Sequence, residues 1–303
     1  MEIARSFFAE WGLPFVEAEW PEIATRLAAG RLSGSDVISG DDAISRNHNW
    51  GPQFTIFLSA ADFATHGATL AESMNAAAPK EWKGYRVAGG GDKNVLVESI
   101  SAYFGKIGLS SPPRLPREWP VGNFESHLYF IRHGAVWIDR SGELSHWRSV
   151  LHQYPEQIHY ARLAEECFRV WHHGEYNFVQ RIARRKDTLA RTIGLGEFTA
   201  GLMRMVFLLN RDYAPYWKWL GHQFRRLPEA AGYLPELEQL SVSSNWDEQV
   251  ELIKSLSARL HTQILASGLI EGKNPNEWLL PLLNDHLELK ERKVALEVKS
   301  SGE

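Results

Sequence analysis

The sequence predicts an α+β fold: a small mixed sheet with helices, followed by an α-helical bundle domain. Three observations carry that expectation. Short β-branched and aromatic runs alternate with helical patterns in the N-terminal part. From Leu144 to Leu265 the apolar spacing is helical nearly throughout. Between them lies the most proline-dense stretch of the chain, with Pro112, Pro113, Pro116 and Pro120.

The elements follow in order. Phe7, Phe8, Trp11, Ile23 and Leu27 recur at three- and four-residue spacings, so the first thirty residues read as helix broken at Pro14 and Pro21. From Arg31 the texture turns to Gly, Ser and Asp. Gln53 to Leu58 then reads as a buried strand, rich in β-branched and aromatic residues. Ala60 to Ala78 is helical and Pro79 closes it. Tyr85 to Ala88 and Asn94 to Ile100 read as a hairpin around Gly89-Gly90-Gly91-Asp92. Leu128 to Arg132 and Ala135 to Asp139 read as two short strands around His133-Gly134. After Gly268, Asn276 to Leu289 reads as helix and Lys290 to Glu303 as a charged, fraying tail. The expected domains are 1–135 for the mixed sheet, 136–268 for the helical domain, and 269–303 for the last helix and tail.

Composition narrows the class. A hydrophobic share of 44% with 23% charged residues builds cores and excludes bulk disorder. The single Cys167 excludes an intrachain disulfide and a cysteine zinc cage, and suits a reducing compartment. The N-terminus lacks the apolar core of a secretory signal. The run Leu202 to Leu209, interrupted by Arg204, is too short to span a bilayer. A cytoplasmic protein with no membrane partner is the expectation. The net charge of −4 argues against nucleic acid as a partner. That charge is unevenly spread, however: Arg181 to Arg226 holds ten basic and three acidic residues, +7 against −11 for the remainder. Such a stretch is either a set of solvated helix faces or a basic wall for a phosphorylated ligand.

The chemistry concentrates between Ser33 and Pro52. Gly34-Ser35 lets backbone N–H groups and a hydroxyl approach phosphate oxygens, although taken alone it is also a common turn. Asn47 and Asn49, at i and i+2, share one face if they lie on a strand. Were both aspartates, they would form a hard oxygen site for magnesium on a nucleoside triphosphate.

Gly34-Ser35, eleven residues, then a polar–x–polar pair resembles the nucleotidyltransferase superfamily with a polymerase-β-like palm. More closely, the chain is similar to a bacterial family of unknown function that joins such a domain to a helical C-terminal domain. Its members read Gly-Ser-Asp, Asp-Asp, then Ser-Arg-Asp-His-Asp-Trp-Gly-Pro; here these are Gly34 to Asp36, Asp41-Asp42, and Ser45 to Pro52. The helical half matches at Tyr154-Pro155, Arg181, Lys186-Asp187 and Asn210 to Leu220, so the resemblance covers roughly residues 1 to 230. It implies transfer of a nucleoside monophosphate from an NTP to a hydroxylated acceptor, with Mg2+, in a cleft between two domains. The alternative reading is a catalytically silent nucleotide-binding or regulatory protein.

Residue by residue, the resemblance places Gly34 and Ser35 on phosphate and metal at positions 47 and 49. It places Glu98 as base or third carboxylate, the alternative being a solvent-facing strand residue. Arg211 and Lys218 are candidates for the triphosphate, and Tyr213 and Tyr216 for stacking on a base or ribose, the alternative being that both tyrosines are interdomain core. Trp217 and Trp219 are expected in the core. Asp36, Asp41 and Asp42 are acids behind the metal or substitutes for its ligands, or else caps and turns. Asp187 orients a basic side chain or the acceptor, or forms a surface ion pair. Asn47 and Asn49 depart from the family. A neutral amide oxygen in place of a carboxylate weakens a magnesium site greatly. Natural loss of catalysis and a deliberate inactivating pair both fit.

Overall fold

The computed structural model describes residues 1–40, 51–87, 94–120, 124–273 and 280–301. The chain divides into two compact units, Met1–His152 and Gln153–Glu303. The first begins with α1 (Glu2–Phe7), a π-helical turn (Phe8–Gly12), α2 (Leu13–Glu19) and α3 (Pro21–Ala24). Pro21 opens α3, where its missing N–H has no helical partner to lose, and Pro14 lies just past the π-helical turn. There follow β1 (Ala28–Arg31), a 3-10 turn (Ser35–Ile38), β2 (Phe54–Leu58), α4 (Ala60–Ala77), β3 (Glu81–Trp82) and β4 (Tyr85–Arg86). The unit closes with β5 (Val95–Ser99), α5 (Ile100–Gly105), α6 (Glu125–His133), β6 (Ala135–Asp139) and α7 (Glu143–Val150).

Four strands form a mixed sheet in the order β5-β2-β1-β6. β1 runs antiparallel to both β2 and β6, while β2 and β5 are parallel. Phe54, Ile56, Leu58 and Val95 turn into one core with Phe7, Phe8, Val16, Leu70 and Met74 from the N-terminal helices and α4. Phe7 and Phe8 meet Phe54 at 5.4 and 5.3 Å between ring centroids, so three aromatic side chains anchor the N-terminus to β2.

Four expectations are corrected. Ala28–Arg31 is a strand, not helix: it is buried throughout and paired on both edges, and this pairing overrides its weak β propensity. The hairpin of 85–88 with 94–100 does not form. Tyr85–Arg86 pairs instead with Glu81–Trp82 across Lys83-Gly84, both at positive φ, and β5 joins β2. Residues 88–93, the expected turn, lie outside the described residues. Leu128 to Arg132 is helical within α6, whose Leu128 and Ile131 are buried. The expected charged tail is the continuation of a long last helix, α14, described below.

The second unit contains α8 (Glu156–Trp171), a π-helical segment (His172–Ile182), α9 (Ala183–Arg185), α10 (Thr188–Leu209), α11 (Trp217–Phe224), α12 (Leu234–Val242), α13 (Trp246–Ala266) and α14 (Pro281–Ser301). α8 packs against α10 and α14, and α13 against the π-helical segment. Ion pairs Arg292–Glu288 at 3.8 Å and Lys293–Glu297 at 3.2 Å continue α14 past Leu289. Among the described residues, α10 is the one helix long and apolar enough to cross a membrane by length and composition. Its second half is buried through Phe198, Leu202, Met205 and Phe207, as in the core helix of a bundle.

Two predictions follow from this packing. A Cβ at Gly30 would stand 2.2 Å from the Ala135 carbonyl oxygen. Gly30→Ala is therefore expected to lower unfolding free energy by about 1–3 kcal/mol, read by urea denaturation. In the bundle, Glu175 has a buried, unpartnered Oε2, and burial pushes its carboxyl up to about 7, against the pull of His261. Burial also pushes Asp285 up to about 6, despite its 2.8 Å bond with His261. A raised acid keeps a proton in the folded chain that the unfolded chain has lost. Stability therefore falls as pH rises from the ordinary carboxyl range to about 7. Glu175→Gln should flatten the upper part of that slope in denaturation midpoints measured against pH.

Candidate functional site

β1 delivers the chain at Arg31 to the loop that carries Gly34 and Ser35. Gly34 has φ +107°, a conformation that strains any residue with a Cβ, and Ser35 opens the 3-10 turn. Asp36 is buried, with both carboxylate oxygens 2.9 Å from Arg31 Nε. The Met1 ammonium lies 3.7 Å from the same carboxylate, and Arg31 Nη1 donates to Gln53 at 3.2 Å. Asp36 thus fastens the loop to the end of β1.

The parallel pairing of β2 and β5 sets Thr55 opposite Leu96 and Phe57 opposite Glu98. These four side chains point away from the core that holds Phe54 and Ile56, since alternate residues of a strand face opposite sides. With Ser33, Tyr103, Lys106 and His127 they line a pocket of about 160 Å³. Leu32, Ile107, Phe130 and Ile131 complete its apolar wall. The structure therefore brings Glu98 together with Ser33, the residue before Gly34.

Glu98 is held rather than free: Lys106 Nζ donates to both of its oxygens, at 2.9 and 2.8 Å. The same ammonium stands 5.3 Å from the Tyr103 ring centroid. Tyr103 donates its hydroxyl to the Leu32 carbonyl at 3.2 Å, and burial, reinforced by the Glu98 charge, pushes its pKa far up. Tyr103 is a neutral fixed donor at any ordinary pH.

The remaining predicted residues fall elsewhere. Asp41, Asp42, Asn47 and Asn49 lie outside the described residues. Arg211, Tyr213, Tyr216, Lys218 and Asp187 lie in the second unit. Arg211 takes φ +56° and its guanidinium pairs with Glu156, with Nη2 3.2 Å from Oε2. Tyr213 is 1% exposed and meets Tyr154 edge-on at 4.8 Å, so its ring is core. Tyr216 is exposed, and Lys218 Nζ stands 5.1 Å from the Trp219 ring. Trp217, expected in the core, is 68% exposed, whereas Trp219 is half-buried. Asp187 caps α10, accepting from Leu189 N and Ala190 N at 3.1 and 3.0 Å.

Sequence reasoning missed Ser33, Thr55, Tyr103, Lys106 and His127. The alternation of Thr55 with Phe57 and of Leu96 with Glu98 was a usable signal. The parallel pairing that stacks these two rows was not visible.

Comparisons with known proteins give the following. A family described as a domain of unknown function (DUF4037) matches residues 123–220. No curated protein matches the chain. Among solved structures, a nucleotidyltransferase-like protein from Exiguobacterium sibiricum 255-15 is similar at 13% identity. The match covers 95% of this chain and 89% of that one, with a TM-score of 0.39.

Breaking the buried pair should be far more damaging than breaking the exposed one. Asp36→Asn leaves Arg31 buried without its carboxylate and should cost about 3–5 kcal/mol. Lys106→Met, at a side chain 57% exposed, should stay within about 1 kcal/mol. Guanidinium denaturation of both variants checks the contrast.

Proposed function

We propose that this is a nucleotidyltransferase-like protein, transferring a nucleoside monophosphate from an NTP to a hydroxylated acceptor, with activity weakened or silenced by Asn47 and Asn49. The observation that carries this reading is the convergence of Ser33, beside Gly34-Ser35, with Glu98 on one pocket over the sheet. Gly34 and Ser35 would hold phosphate oxygens. The acceptor oxygen would attack the α-phosphorus, the bond to pyrophosphate would break, and the acceptor proton would pass to Glu98. For that transfer, Lys106 must release at least one Glu98 oxygen.

The Mg2+ that the resemblance implies does not fit the residues present. Asn47 and Asn49 supply neutral amide oxygens, which hard cations bind weakly. Both Glu98 oxygens face Lys106, and both Asp36 oxygens face Arg31. Among the described residues no three His, Cys, Asp or Glu side chains converge to hold a metal. The Lys106 contact also favours a second reading, a silent nucleotide-binding or regulatory protein, because it neutralises the one carboxylate among the described residues of the pocket.

One experiment separates the two. The chain and its Asn47→Asp/Asn49→Asp variant are incubated with labelled NTPs, Mg2+ and a cell-extract acceptor pool. Label incorporated only by the aspartate variant supports a silenced transferase. Saturable NTP binding without incorporation by either leaves the silent nucleotide-binding reading. Absence of NTP binding in both overturns the proposal.

A further inference from the structure

The pocket beside Glu98 restricts what the acceptor can be. Its volume, about 160 Å³, compares with the apolar cavities of about 150 Å³ that admit benzene, so one six-membered ring fills it. A nucleoside or an oligosaccharide could not be enclosed in it whole. Leu32, Phe57, Leu96, Ile107, Phe130 and Ile131 supply an apolar lining for such a ring. Phe57 and Tyr103, edge to face at 5.3 Å, set an aromatic corner within it. Polar side chains line it too: Ser33, Thr55 and His127, Tyr103 with its hydroxyl already given to the Leu32 carbonyl, and Glu98 and Lys106 as the charged pair. Leu96, 41% exposed, and Lys106, 57% exposed, mark the mouth. A sugar ring would set those of its hydroxyls that face Leu32, Leu96, Ile107 and Ile131 against aliphatic carbon, which disfavours it. A ring with a single hydroxyl meets both demands, since its apolar body fills the lining and its one O–H donates to the Glu98 carboxylate.

We infer that the acceptor site takes a single-ring phenol, its ring in the apolar pocket and its hydroxyl at Glu98. The acceptor role rests on the transferase reading above, whereas the ligand class rests on the pocket alone.

The test titrates the full chain with phenol, toluene and glucose by calorimetry or NMR line shifts, and with an NTP in parallel. Phenol should bind saturably, toluene more weakly for want of the hydroxyl, and glucose not at all. Leu96→Trp, which closes the mouth, should weaken phenol at least about tenfold. Leu96→Ala, which opens it, should keep phenol and admit naphthol. This second variant guards against misfolding of the first. Absence of saturable phenol binding overturns the inference, as does glucose binding as tightly as phenol, or phenol and naphthol binding indifferent to both Leu96 variants. Phenol binding without NTP binding upholds the ligand class and overturns the acceptor role together with the transferase reading. NTP binding without phenol binding overturns the ligand class alone.

Discussion

The buried ion pair between Arg31 and Asp36 is the constraint on which the candidate site depends. It closes a five-residue span at the end of β1, with both partners almost removed from water. Net stability is not its main contribution, since desolvation of two charges offsets most of their attraction. Its contribution is direction. Between the two partners the backbone passes through Gly34 at positive φ, a conformation with little local preference of its own. Arg31 also reaches Gln53, just before β2, and Asp36 lies near the chain's first ammonium. One pair thus ties together the loop, two strands and α1, and leaves Ser33 facing the pocket.

Strand parity does the rest. In β2 and β5 every second side chain enters the core under the N-terminal helices, and the others form the floor of the pocket. A slip of one residue would turn Glu98 into the core and is excluded by the burial of Val95 and Ile56. The electrostatics of that floor run against a divalent cation. Lys106 offsets the charge of Glu98. What remains is a recess whose one described ion pair is internally balanced and whose wall is largely aliphatic and aromatic.

The fold class was legible because periodicity is local: helical spacing in the second unit and β-branched runs in the first need no knowledge of partners. β1 was illegible because Ala-Ala-Gly-Arg has no β signature, and only pairing on both edges makes it a strand. The expected hairpin failed for a related reason. Sequence neighbours are the natural guess, whereas the true partner of β5 is a parallel strand some forty residues earlier. Glu98 was reached through family resemblance. Lys106 was not, because its role depends on α5 folding back beside β5. Aromatic identity does not tell core from surface: Tyr213, open to either reading, is sealed in the core, and Trp217, expected there, stands in solvent. Asp187 reads in the sequence as orienting a basic side chain or the acceptor, or as a surface ion pair, yet an Asp before Thr-Leu-Ala is also a helix-start signal.

The basic stretch shows how a charge count differs from a field. Arg211 and Arg225 are paired with Glu156 and Glu238, acids outside the stretch, while Arg169 from outside covers Glu197 within it. Arg181 and Arg191 spend their donors on backbone carbonyls, of Tyr176 and of Ser243 and Ser244, which leaves their charge but fixes their position. Three consecutive cations, Arg184, Arg185 and Lys186, lie exposed at the end of α9. Lys186 and Arg191 both stand over the Trp246 ring, at 5.3 and 5.0 Å, which draws positive charge to that end of the bundle. Around α11, Lys218 is exposed but Arg211 is already matched to a carboxylate. Three adjacent exposed cations therefore stand at α9, whereas of the two residues the resemblance assigns to triphosphate Arg211 is already paired.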